Sequence, residues 1–179
     1  MPPGKSKRVY TQKDWDVHLW PEPGPGVEYG PTEMQEKLFI YHQEPWERPH
    51  FHNVDVVLLV GGKGGGKTLM GIAEIIELVL SYKKCAAIVA GVDMPMLKRN
   101  VMDLFGERLS WTDPDGIEHP WEHPAVVKPP PEKTPVAPLY NGSTIRFLGI
   151  DKDQKVRGFT ADVFMIEEVN LLSANSLKI

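Results

Sequence analysis

The sequence is poor in cysteine. Cys85 is the single one in 179 residues, so no internal disulfide can form and the fold must rest on its apolar core, which fits a reducing compartment. Cys85 stands just before an apolar run and reads as a buried core thiol. No stretch reaches the ~18 consecutive apolar residues of a membrane-spanning helix. The N-terminus, Met-Pro-Pro-Gly-Lys-Ser-Lys-Arg, is basic, but no apolar region follows, which excludes a secretory signal and points to a cytoplasmic setting. Excess positive charge is missing too: the formal net charge is −4, so any surface that meets nucleic-acid phosphates must be a local patch. Neither an internal repeat nor a charged low-complexity run is found. No companion cysteines stand at zinc-finger spacing beside His50, His52, His119 and His123, which are expected to be exposed loop histidines.

What is abundant is proline. Eight of the 17 prolines lie in residues 1–50, eight in 112–138, and the last is Pro95. Proline fixes φ and removes a backbone donor, so both zones are expected to be poor in regular structure. The length suits about one domain that buries roughly 70% of its unfolded surface. The expected organisation is an N-terminal arm over 1–50 and a core over 51–179, interrupted by a proline-rich insertion at about 112–138. Within the arm, Trp20 to Pro31 reads as extended and Thr32 to Tyr41 as a short helix. The tryptophans at 15, 20, 46, 111 and 121 fall in or beside the proline zones, where they are expected to anchor loops to the core.

The core segments alternate in type. Asp55 to Val60 is a short β-branched run that suits a buried strand. From Thr68 to about Lys83, apolar side chains recur with helical spacing. Ala86 to Ala90 reads as a second buried strand, and Met94 to Leu109 as a helix opened by Asp93 and Pro95. Ser143 to Leu148 alternates like a strand after an Asn141-Gly142 turn. Val163 to Ile166 is a further buried run that ends in two glutamates. Strands alternating with helices imply an α/β fold with a mostly parallel central sheet flanked by helices.

One motif carries explicit chemistry. Gly61, Gly62, Lys63, Gly64, Gly65, Gly66, Lys67 and Thr68 fit G-x-x-x-x-G-K-[ST], the P-loop of nucleoside triphosphatases. Glycines allow positive φ and a close backbone approach, so that successive N–H groups point at phosphate oxygens. The helix that begins here adds its positive end. Lys67 is expected to reach the β and γ phosphates and the Thr68 hydroxyl to ligate Mg2+. The strand that ends at Glu167 and Glu168 supplies the complement. Strand C-termini edge the ligand crevice of open α/β sheets, so Glu167 would hold Mg2+, directly or through water, and Glu168 would polarise the attacking water. Together these expectations describe a Mg2+-dependent ATP hydrolase.

These residues resemble the large terminase subunit of tailed bacteriophages. The P-loop reads Gly-Gly-Lys-Gly-Gly-Gly-Lys-Thr where the family commonly has Gly-Gly-Arg-Gly-Ser-Gly-Lys-Ser. Asn141 to Gly149 is similar to the family's Asn-Gly-Ser strand, and Lys155 to Asn170 to its Arg-Gly stretch running into the Walker B strand. Ala86 to Phe105 is similar to the strand and helix between. The resemblance covers about 55–110 and 139–172. It implies a P-loop ATPase of the ASCE (RecA-like) group, forming a homo-oligomeric ring at the capsid portal protein and driving double-stranded DNA into a procapsid in the host cell cytoplasm, with no membrane involved. It also implies a small terminase subunit as partner, and a nuclease domain beyond Ile179 in a longer parent protein. By the same resemblance Arg157 is an arginine finger for a neighbouring subunit and Gln43 an adenine contact. Lys63 stands where the family often has arginine, and keeps the charge without the bidentate fork. Glu167 stands where many members have aspartate. Another ASCE translocase or helicase, a small-molecule kinase and a nucleotide-sensing assembly module are the alternatives that the residues leave open.

Overall fold

The computed structural model describes residues 64–133, 135–150, 160–168 and 171. The expected strand over Asp55 to Val60, the N-terminal arm with its helix, Gly61, Gly62, Lys63, Gln43 and Arg157 lie outside the described residues.

Helix α1 spans Lys67–Ser81, close to the expected bounds. Its apolar spacing buries Ile72, Ile75, Ile76, Val79 and Leu80, each contributing roughly 1.5–3 kcal/mol of burial free energy. Strand β1, Ala86–Gly91, follows. The next helical stretch is continuous but changes pitch: α2 over Met94–Leu97, a π-helical turn over Lys98–Met102, and α3 over Asp103–Arg108. Its start is set as the sequence implies. Asp93 caps it by accepting from the Met96 N–H at 2.7 Å, and Pro95 sits in the first turn, where its missing donor is harmless. Short strands β2 (Trp111–Thr112), β3 (Glu118–His119) and β4 (Val136–Pro138) precede β5 (Thr144–Gly149) and β6 (Val163–Ile166).

The main sheet has the order β4-β5-β1-β6. Strand β1 pairs in parallel with β5 on one side and with β6 on the other, while β4 runs antiparallel along β5. The result is a mixed sheet, mostly parallel. Alternation sorts its side chains. Ala87, Val89, Ile145 and Phe147 join the large cluster under α1 and α3, with Val163 and Met165 packed against it, whereas Ile88 and Ala90 join Ile150 in a smaller cluster. Cys85 is buried at the start of β1, and desolvation, helped by the nearby Asp162 carboxylate, pushes its thiol up to about 12. It is an inert core thiol at neutral pH.

The proline-rich insertion is more ordered than its composition suggests. Over 112–138 the structure has a two-stranded β2–β3 hairpin and the edge strand β4. Ala125, Val126 and Ala137 are buried in the main core. Proline is excluded only where a ladder needs its N–H, and Pro138 ends an edge strand, where it is tolerated. Trp121 is the anchor: its ring stacks along Phe105 and meets Phe147 edge-on, and its backbone N–H donates to the Gly106 carbonyl at 3.1 Å. Trp111, by contrast, is 44% exposed and lies against His119.

Two histidine expectations are corrected. His123 is buried, with Nδ1 accepting from the Ala125 N–H at 3.1 Å. His119 is half-buried, with Nε2 3.0 Å from an Asp113 carboxylate oxygen. That hydrogen bond is the main reason the His119 pKa is raised and the Asp113 pKa lowered. Both were expected as exposed because loop composition does not register a partner six residues away, or a core wall built from other elements.

The Asn141-Gly142-Ser143 turn does more than reverse the chain. The Asn141 amide donates to the carbonyls of Val79 (2.7 Å), Leu80 (3.3 Å) and Tyr82 (3.3 Å), while its oxygen accepts from the Ser143 N–H. The buried Ser143 hydroxyl donates to Tyr82 O at 2.8 Å and accepts from Cys85 N at 3.0 Å. The turn thus supplies partners for the orphan carbonyls at the end of α1 and fixes that end to the start of β5. Asn141→Ala removes these donors from partly buried carbonyls and is expected to cost about 1–3 kcal/mol in urea unfolding. A change below about 0.5 kcal/mol would mean that water replaces the cap.

Candidate functional site

The parallel pairing on both sides of β1 brings the C-terminal ends of β1, β5 and β6 to one edge of the sheet. The chain leaves β6 there: Glu167 N–H still donates to Ala90 O at 2.8 Å, so the ladder runs one residue past the strand and holds the Glu167 backbone in place. The register is fixed from the other end by Asp162, whose carboxylate accepts from the Ala86 N–H at 2.8 Å while its own N–H donates to Ala86 O.

Helix α1 begins at the same edge. Gly66 is its N-cap with φ of 70°, a left-handed conformation that a side chain disfavours, and Gly64 has φ of 79°. No side chain caps this end and no acidic residue of the helix itself lies in the first turn, where the positive end of the helix dipole favours a negative group. Among the described residues, a Cβ on Gly64 would meet nothing within 4 Å. Lys67, at the first helical position, and Thr68 after it are half-buried.

The decisive contact is between elements far apart in sequence. The Thr68 hydroxyl donates to Glu167 Oε1 at 2.6 Å, across 99 residues. Two residues singled out on separate motifs are therefore side by side. Glu168 follows, exposed, with φ of 53°. A left-handed glutamate is uncommon and costs on the order of 1–3 kcal/mol. Its carbonyl accepts from the Leu171 N–H at 2.9 Å. The strand direction and this backbone bend separate the two carboxylates: Glu167 turns to α1, and Glu168 is left in solvent.

Among the described residues, no group of three or more His, Cys, Asp or Glu side chains could hold a metal. The Thr68–Glu167 pair is a different kind of donor set, one hydroxyl and one carboxylate, all oxygen. That suits Mg2+, which takes one or two protein oxygens and completes its shell with water and substrate phosphates.

Gly71 and Met165, which pack closely beside this pair, were not singled out from the sequence. The signal was a glycine inside an otherwise apolar helix, which costs up to ~1 kcal/mol and calls for a packing reason. Among the described residues, no helix is long and apolar enough to cross a membrane. Comparison of the chain with protein-family models, with curated proteins and with solved structures found no match.

Proposed function

We propose that the chain is a Mg2+-dependent ATP hydrolase of the P-loop type, and that it serves as the ATPase part of a viral DNA-packaging motor. One observation carries the catalytic half of this reading: the 2.6 Å hydrogen bond from Thr68 to Glu167, which joins the end of a G-x-x-x-x-G-K-T motif to a strand-end carboxylate at the start of a helix with no side-chain cap. A solvated acidic strand end has no reason to meet that particular hydroxyl.

Each residue then has one task. The N–H groups of the glycine turn and of the first turn of α1 bind phosphate oxygens. Lys67 adds a point charge to the β and γ phosphates. Thr68 and Glu167 hold Mg2+, which when bound neutralises charge on the β and γ phosphate oxygens. Glu168 accepts a proton from the water that attacks the γ phosphate, releasing inorganic phosphate and ADP. A dedicated base next to the metal carboxylate favours hydrolysis over transfer to a small-molecule acceptor.

The motor half of the reading rests on the resemblance to large terminase subunits. It assigns double-stranded DNA, the portal protein and a small subunit as partners, a homo-oligomeric ring as the working assembly, the host cytoplasm as the setting, and trans action on a neighbour's nucleotide to Arg157. Net charge of −4 requires the DNA contact to be a local basic patch. The test is a phosphate-release assay with ATP, Mg2+ and double-stranded DNA, run beside a search for phosphorylated acceptors. Free phosphate, released faster with DNA, is expected. A phosphorylated small molecule would make the chain a kinase.

A further inference from the structure

We propose that Gly71 and Met165 form a spacer that sets the distance between Thr68 and Glu167, and through it the affinity of the site for Mg2+. This rests on the reading of Thr68 and Glu167 as the metal-holding pair.

Helix α1 and strand β6 face each other through two rungs. Thr68 and Gly71 are three residues apart and share a face of α1. Glu167 and Met165 are two residues apart and share a face of the strand. Thr68 meets Glu167 on the first rung. On the second, a Cβ added at Gly71 would lie 2.8 Å from Met165 Cε and 3.0 Å from its Sδ. The thioether therefore occupies the space that any other residue at 71 would fill, and Met165 itself is braced against the main core. Because α1 moves as a rigid rod over one turn, its approach at Gly71 decides where the Thr68 hydroxyl stands. The Glu167 backbone does not follow, since its N–H is tied to Ala90 O, which leaves any adjustment to rotation of its side chain. A methyl at 71 has two outlets: the Met165 tip rotates away, or α1 lifts and takes Thr68 with it. Met165 is half-buried and packs against the main core; where its tip does not turn aside, the strain goes into the helix. Met165 is in this sense a positioning residue.

The experiment measures the Mg2+ concentration that half-saturates tight binding of a fluorescent ATP analogue (N-methylanthraniloyl-ATP), together with binding of the same probe in EDTA. Gly71→Ala is expected to raise the Mg2+ requirement about tenfold, the scale seen when support of a metal ligand is disturbed, with metal-free binding unchanged. Met165→Val removes the offending atoms, so the pair Gly71→Ala, Met165→Val is expected to return to within about threefold of the parent. A general folding defect would weaken both kinds of binding and would not be rescued. An unchanged Mg2+ requirement in Gly71→Ala, or no recovery in the double variant, overturns the spacer. If Gly71→Ala does not fold, Met165→Val alone must shift the requirement severalfold, and no shift overturns the proposal. Should the parent chain bind the probe with no Mg2+ dependence at all, the metal-pair reading fails and the spacer with it. That pattern is distinct from failure of the spacer alone.

Discussion

Glu168→Gln is expected to lower ATP turnover by about 10²–10⁴-fold, the usual contribution of a positioned general base, while ATP affinity stays within a few-fold of the parent. The substitution isolates basicity. Gln has the same length, so it inherits the left-handed backbone at 168 (φ 53°) and its cost. It leaves the Thr68–Glu167 hydrogen bond at 2.6 Å intact. Glu167, which accepts from Thr68 and is assigned to the metal, is not expected to take over as base. Single-turnover phosphate release and equilibrium binding of ATP, measured on the same preparation, separate the two effects. Parent-like turnover in Glu168→Gln would remove the assigned base and with it the division of labour between the two glutamates. Equal loss of binding and turnover would instead make Glu168 a ligand-holding residue.

The parts of the fold that were legible in the sequence are those where local period and burial agree. Helix α1, strand β1 and strand β6 are apolar runs bounded by glycine, polar turns or charge, and their ends fall within one or two residues of expectation. The pitch change at Lys98–Met102 was not legible, because a π-helical turn keeps the apolar spacing nearly helical. The region over 112–138 misled for a physical reason. Proline density measures lost backbone donors, whereas its order comes from a few side chains, Trp121, Ala125 and Val126, that reach a core made by distant elements. Likewise Asn141-Gly142 reads as a turn in isolation, and the cap that Asn141 places on α1 spans 62 residues to Val79.

The candidate site divides in the same way. The meeting of Thr68 and Glu167 was legible, since both stand in recognisable motifs. Its spacing was not. Nothing local in the sequence says that Gly71 faces Met165, or that Asp162 fixes the β6 register through the Ala86 N–H. Those are properties of how a helix and a strand meet.

Lys67→Ala bears most directly on the central claim, that a triphosphate sits at the glycine turn ahead of α1. A charge-assisted contact is worth ~1.5–3 kcal/mol, so its loss should weaken ATP binding about 10- to 100-fold. The helix itself should be untouched, because alanine is at least as good a helix former as lysine at an end position. The measurement is calorimetric titration of ATP in Mg2+ into the parent and the variant, with thermal unfolding of both recorded without nucleotide. The account predicts saturable one-site binding by the parent and at least tenfold weaker binding by Lys67→Ala, with a cooperative unfolding transition showing that the variant is folded. Equal affinity in the two proteins, or no ATP binding by a folded parent chain, would contradict it.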